Sequence, residues 1–301
     1  MDIQNEGPGV TQRICSAGLI CWFALCFGVQ TAVAENDTQI FARLGMIEHQ
    51  AMLAHRMTKS ACLVMMGADA KEHAEVALLT AQQFETQMQV LINGDAAHGI
   101  GKENDVELRA ALENAQAFSN GLTASSAQIA SGDFHSVPVG LMISRNGAVA
   151  NRMEDIRQGT LARYSSELRQ NDLVNTVHWA NAQNALIQEL LRDLCFITLD
   201  ISDAGAKGAL LEKLAVFEER SVLLKIGSAP DDIAKAPSIH IKIELGKVIT
   251  RWGKIKPYLE AAAAGETADL SDIQLAYVYG EAITANMKKI LDRYAKLSPA
   301  G

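Results

Sequence analysis

The sequence predicts an all-α protein of two tandem antiparallel four-helix-bundle modules after a cleavable signal peptide. Three observations carry this. Apolar residues recur at alternating spacings of three and four along a series of long segments. No stretch of useful length alternates apolar and polar residues as a half-buried strand would. The second half of the chain also repeats the first.

The repeat is plainest in Gln50 to Cys62, Gln-Ala-Met-Leu-Ala-His-Arg-Met-Thr-Lys-Ser-Ala-Cys, which lies without a gap over Gln183 to Cys195 at an offset of 133 residues. Gln50 meets Gln183, Leu53 meets Leu186, Lys59 meets Arg192 and Cys62 meets Cys195. Downstream the same register pairs Leu78 with Leu211, Phe84-Glu85 with Phe217-Glu218, Leu91 with Leu224, Gly94 with Gly227 and Gly132 with Gly265. It drifts by one residue at Met153 and Ile156, which face Met287 and Ile290, and by three where Arg163-Tyr164 faces Arg293-Tyr294. A register held over such a length marks an internal duplication. The predicted modules are residues 35–168 and 169–301, after a signal over residues 1–34.

In that signal, Arg13 precedes a 16-residue, mainly apolar run from Ile14 to Val29, and Ala32-Val33-Ala34 supplies the small residues of a cleavage site. The run is shorter than the roughly 20 apolar residues that cross a bilayer. The expectation is cleavage, a periplasmic location and a mature chain with no membrane span.

Helix 1 starts near Asp37 or Thr38, carries Ile40, Leu44, Ile47, Ala51, Ala54, Thr58, Ala61 and Met65 as its core stripe, and ends at Gly67. Helix 2 runs from about Ala70 to Ile92 and stops at Asn93-Gly94. A polar, glycine-rich loop over 95–104 precedes helix 3, about Asp105 to Ala130. Helix 4, roughly Phe134 to Glu167, takes Pro138 in its first turns, where a missing N–H costs little. In the second module Asn171 or Asp172 caps helix 5, which carries the motif to about Ile201, and helix 6 spans about Ala204 to Lys225. The loop 228–237 repeats the earlier one. Helix 7 carries Ile239, Ile243, Val248, Trp252 and Leu259 with a kink at Pro257, and helix 8 runs from about Ser271 to Leu297.

Composition excludes some functions. The net charge is −8 and the Lys and Arg are scattered, so no basic patch is set up to follow a nucleic-acid backbone. No His-Glu-x-x-His, Gly-x-Ser-x-Gly, phosphate loop or Cys-x-x-Cys is present, so no enzyme activity and no cofactor is expected. His49, Met52 and His55, with Met46 and Met57, have the donor types of a copper site. A spacing of six residues, however, turns the two rings about 120° apart on a helix, so no metal is expected.

The motif helix resembles that of the type IV pili methyl-accepting chemotaxis transducer N-terminal family (PilJ-type), related to the periplasmic input domains of nitrate and nitrite sensor kinases. That family's signature reads Arg-Gln-Arg-Met-Leu-Ser-Gln-Arg-Met-Ala-Lys. Gln50, Met52, Leu53, Arg56, Met57 and Lys59 keep it in the first copy; Gln183, Leu186, Gln188 and Arg192 keep it in the second. The resemblance implies a sensory, non-enzymatic module that binds a small anionic ligand beside paired motif helices and passes a signal to an envelope or membrane signalling protein. Here no output domain is expected in the chain itself. The family's second signature arginine falls on Ala51 and Asn184, which removes the guanidinium fork that holds an oxyanion there.

The ligand-binding candidates are therefore Gln50, His55, Arg56, Lys59, Gln183, Asn184, Gln188 and Arg192. The plainer expectation for His55, Arg56 and Lys59 is a solvated helix face with ion pairs to a neighbour. Cys62 and Cys195 are candidates for a disulfide if the motif helices pair, and otherwise for two buried thiols. The competing function is a structural or adaptor protein of the envelope that takes no small ligand.

Overall fold

The computed structural model describes residues 37–166, 168, 173–266 and 268–297. They form α1 (Asp37–Met66), α2 (Ala70–Asn93), α3 (Val106–Ala130), α4 (Ser136–Tyr164), α5 (Val174–Thr198), α6 (Ala206–Ile226), α7 (Ile239–Ala264) and α8 (Leu270–Ala295), with a 3-10 turn at Ala96–His98. Among the described residues no strand occurs, and extended pairing is confined to two isolated bridges, Asp95 with Ile100 and Ser228 with Ile233. The signal segment and the capping positions Asn171 and Asp172 lie outside the described residues.

Each half closes as a ring of four antiparallel helices. α1 packs on α2 and α4, which are joined by α3; α5 packs on α6 and α8, which are joined by α7. The two rings fuse where α1 lies against α5, and all the described residues belong to one compact unit.

This position explains the sequence of α1. Every residue from Met57 to Val64 is buried, as are Met52, Leu53, Ala54 and His55. A helix buried on all sides is enclosed by other helices, so the stripe predicted for helix 1 is only part of its buried surface. α5 is the same, with Leu186 to Gln188 and Leu190 to Phe196 buried.

The duplication is visible in backbone detail. Gly67 and Asp200, 133 positions apart, both end their helices in the left-handed region at φ 73° and 54°. Behind them Ala68 N donates to Leu63 O at 3.1 Å and Ile201 N to Phe196 O at 3.0 Å, the same terminal bond in both copies. Gly94 and Gly227 turn the next corner at φ 78° and 86°. A Cβ on Gly94 would stand 2.5 Å from Lys102 N.

The loop fasteners differ between copies. Arg43 donates to Leu91 O at 2.8 Å and Gly101 O at 2.7 Å, and its charge meets Glu103 at 3.3 Å. At the equivalent place Thr176 Oγ1 accepts from Ala234 N at 2.8 Å. Asp105, Ser238 and Asp269 cap α3, α7 and α8 through their side-chain oxygens.

Candidate functional site

The α1–α5 seam brings together the residues that the motif singles out. Cys62 and Cys195 form a disulfide with their Cα atoms 6.3 Å apart, so the expectation of two buried thiols does not hold. Pairing of the motif helices brings the two equivalent positions within bridging distance.

Gln50 and Gln183 are spent within their own halves. Gln50 Nε2 donates to Phe84 O at 3.3 Å and Gln183 Nε2 to Phe217 O at 2.7 Å, a bond repeated at the 133-residue offset. Each ties a motif helix to the helix that follows it. Neither amide donates across the seam.

The remaining motif residues cross over. Lys59, 0% exposed, donates to Glu281 Oε1 on α8 at 2.5 Å and lies 4.3 Å from the Tyr277 ring centre. Arg56 reaches the other oxygen of Glu281 at 2.8 Å, and Gln188 Nε2 donates to Glu281 at 3.2 Å and to Thr284 Oγ1 at 2.7 Å. On the opposite side Arg192 reaches back to Asn146 of α4 and also holds Asp193. His55 Nδ1 is 2.9 Å from Asn146 Oδ1 and 3.0 Å from the Arg192 guanidinium. Asn146 Nδ2 donates to Ala54 O and Thr58 Oγ1, each at 2.8 Å.

The two clusters are related by an approximate twofold between the halves. A buried base (Lys59 or Arg192) and a hydrogen-bonding neighbour (His55 or Gln188) on the motif helices meet an acceptor on the last helix of a bundle. The solvated face expected for His55, Arg56 and Lys59 is absent, because α1 is walled in by its neighbours; only the Arg56 side chain keeps substantial exposure, 28%.

Burial governs the protonation of these groups. It lowers Lys59 to about 8 against the opposing pull of Glu281. Burial alone would raise the Glu281 carboxyl, but Lys59 and Arg56 outweigh it and hold Glu281 at about 2. His55 is lowered to about 4 by burial, with Glu189 opposing. At neutral pH the Lys59 cluster carries two cations against one carboxylate, while His55 is neutral.

Two clefts flank the seam. One, of about 560 Å³, opens between α1, α2, α5 and α8 and includes Arg56, His49 and Asn184 in its lining. The other, of about 350 Å³, opens between α1, α4, α5 and α6 and includes Glu48, Glu189 and Arg220. Their linings correspond under the repeat: Asn184 to Ala51, Arg56 to Glu189, Gln87 to Arg220, Thr284 to Ala150, Lys288 to Glu154 and Leu291 to Arg157.

Asn184 is 3% exposed, yet among the described residues its side chain makes no hydrogen bond, and its Oδ1 is buried without a partner. The Nε of Arg56 is likewise buried and unpartnered. Buried polar groups are nearly always satisfied, so the orphaned Arg56 Nε, a donor beside the cleft, is an available contact for an anion, whereas Asn184 Oδ1 can only accept.

No family model, curated protein or solved structure matches the chain. What the site can do rests on its geometry.

The candidate copper donors do not converge. His49 Nδ1 bonds Gln87 Oε1 at 2.9 Å, and His55 is taken by Asn146 and Arg192. Among the described residues no group of three His, Cys, Asp or Glu is placed to hold a metal. No described helix is long and apolar enough to cross a membrane.

Sequence reasoning missed Glu281, Asn146 and Lys213, which bridges Glu189 at 2.7 Å and Asp193 at 2.6 Å. These lie outside the motif: packing within each half brings Asn146 to α1 and Lys213 to α5, and the pairing of the halves brings Glu281 to Lys59 and Asn146 to Arg192. One trace is in the sequence: the register that pairs Met153 with Met287 sets Asn146 against Gly280, as the motif sets Thr58 against Leu191. The polar contact of Asn146 with Thr58 is replaced by Leu191 packed against the bare Gly280 backbone, where a Cβ would collide with it.

Proposed function

We propose that this chain is an exported, non-enzymatic ligand-binding module of the PilJ-like sensory type, which takes a small anionic ligand in the cleft beside Arg56 and Asn184. The observation that carries the reading is the Arg56 guanidinium, its Nε buried and without a partner, lining the same cleft as Asn184, whose Nδ2 is the group able to donate to an anion. The excess positive charge left by Arg56 and Lys59 over Glu281 favours an anion there. Arg56 is the member a ligand can reach, since its side chain is the more exposed, at 28%. A ligand that draws it from Glu281 disturbs Lys59 and Gln188, and so the α1–α5 packing. That change is what a partner signalling protein in the envelope would read.

A titration with nitrate, acetate, phosphate and succinate tests the reading, with heat of binding and unfolding midpoint as readouts. Binding that falls about tenfold or more in both Asn184→Ala and Arg56→Ala supports it. Indifference of every anion to both substitutions removes it. The second reading, an adaptor that binds only another protein, draws on a different observation: α1 and α5 are joined by the disulfide, and Leu53, Met57, Leu190 and Leu194 of these helices are buried in one apolar core.

A further inference from the structure

The smaller cleft, across the seam from Arg56, carries a cation without a counter-ion. Arg220 projects from α6 with its guanidinium 4.4 Å from the Trp179 ring centre. Among the described residues it makes no ion pair or hydrogen bond. The other cations of the wall are matched: Arg157 by Glu154 at 2.6 Å, and Lys213 by Glu189 and Asp193. Burial pushes the Arg220 guanidinium below its ordinary value, with Glu219 opposing. That is the direction expected when a cation loses water and gains no partner.

The floor beneath it is made of small side chains, Ala51, Ala150, Ala182 and Ala185, and these leave the space of about 350 Å³. The accessible surface of this concave wall is largely apolar and charged and polar side chains surround it, the usual form of a small-molecule site. Trp179 holds the guanidinium against its ring, which reduces the ordering cost of binding.

We propose that this cleft is a second binding site, for a small organic monocarboxylate whose apolar body rests on the alanine floor and whose carboxylate pairs with Arg220. A single unmatched guanidinium balances one negative charge. A phosphate or dicarboxylate would bring a second charge toward Glu48, Glu154 and Glu212 in the same wall. The site is not a copy of the larger cleft, since Gln87, at the position equivalent to Arg220, is bonded to His49. It therefore stands whether or not a ligand occupies the cleft beside Arg56.

Calorimetric titration of the purified protein with benzoate, 2-naphthoate and the uncharged 2-naphthamide tests this. The expected result is saturable binding of at least one carboxylate and none of the amide. Arg220→Gln weakens it about tenfold or more, the loss of a charge-assisted bidentate contact, with the unfolding midpoint unchanged. Ala185→Leu, which fills the floor, abolishes binding by a route that leaves the charge in place, and Arg56→Ala weakens it far less than Arg220→Gln. The proposal is overturned if neither carboxylate saturates below roughly 10 mM, if the amide binds as well as 2-naphthoate, or if affinity follows Arg56 instead of Arg220.

Discussion

Lys59 and Glu281 are 222 residues apart in sequence and 2.5 Å apart in space. Lys59 is enclosed by α1's neighbours and Glu281 comes from the last helix of the other half, so their bond is a polar tie made across the seam. Breaking a buried pair from one side strands a charge. Lys59→Met is therefore expected to destabilise the protein by roughly 3–5 kcal/mol in denaturant unfolding, whereas the double change Lys59→Met with Glu281→Leu costs much less. Equal losses in the single and double variants would show that the pair is not the source.

Acid should weaken the fold through its buried histidines. His55 and His73 are lowered from 6.5 to about 4, each first by burial. Between those values the unfolded chain holds the extra protons, so stability falls as pH drops from about 6.5 to 4 and is level above that window. His55, almost wholly buried, contributes at most about 3 kcal/mol. His55→Gln, which borrows the residue the second copy has at Gln188, should flatten the decline of the unfolding midpoint with pH. An unchanged slope would assign the acid sensitivity elsewhere.

The disulfide between Cys62 and Cys195 closes a loop of 133 residues. Long loops lose the most chain entropy on closure, and replacing both cysteines by Ala is expected to cost roughly 2–5 kcal/mol. Both sulfurs are buried, so alkylation with iodoacetamide should require reductant and denaturant together. Rapid labelling of the folded, unreduced protein would contradict the bridge.

Asp200 occupies a left-handed position, φ 54°, that its counterpart Gly67 fills without strain. Asp200→Gly is expected to be neutral or to stabilise by up to about 1 kcal/mol, while Gly67→Asp destabilises. Thermal unfolding of the two variants decides it.

Gly280 and Leu191 fill the space that Asn146 and Thr58 fill in the first copy. Gly280→Asn alone should destabilise by roughly 1–3 kcal/mol through overpacking. Adding Leu191→Thr should recover part of that loss, a coupling that a double-mutant cycle measures directly. Additive effects would mean the two positions do not share one space.

The helices were legible because their ends carry local chemistry: Gly67, Asn93-Gly94 and Ser131-Gly132 each stop a helix where the structure stops it. The duplication was legible because it constrains turns as well as cores. Burial was read less well. Leu78 and Leu211, paired by the repeat, are about half exposed, at 47% and 50%, because α2 and α6 lie on the outside of the rings. Conversely, His55 and Lys59 are polar by type and buried by position, since enclosure by four helices is a tertiary fact that one helix's pattern does not contain. The site followed the same division. Its motif half was visible in the sequence, and the half supplied by Glu281 and Asn146 depended on the fold.

Joining both copies in one polypeptide has an evolutionary consequence at the seam. In an assembly of two identical chains, any mutation appears on both sides of the axis at once, so a change that suits one pocket is imposed on the other. Here Arg56 and its counterpart Glu189 carry opposite charges. Fusion allows selection to act on one side while the other keeps its earlier residue, so the two pockets are free to acquire unrelated chemical preferences.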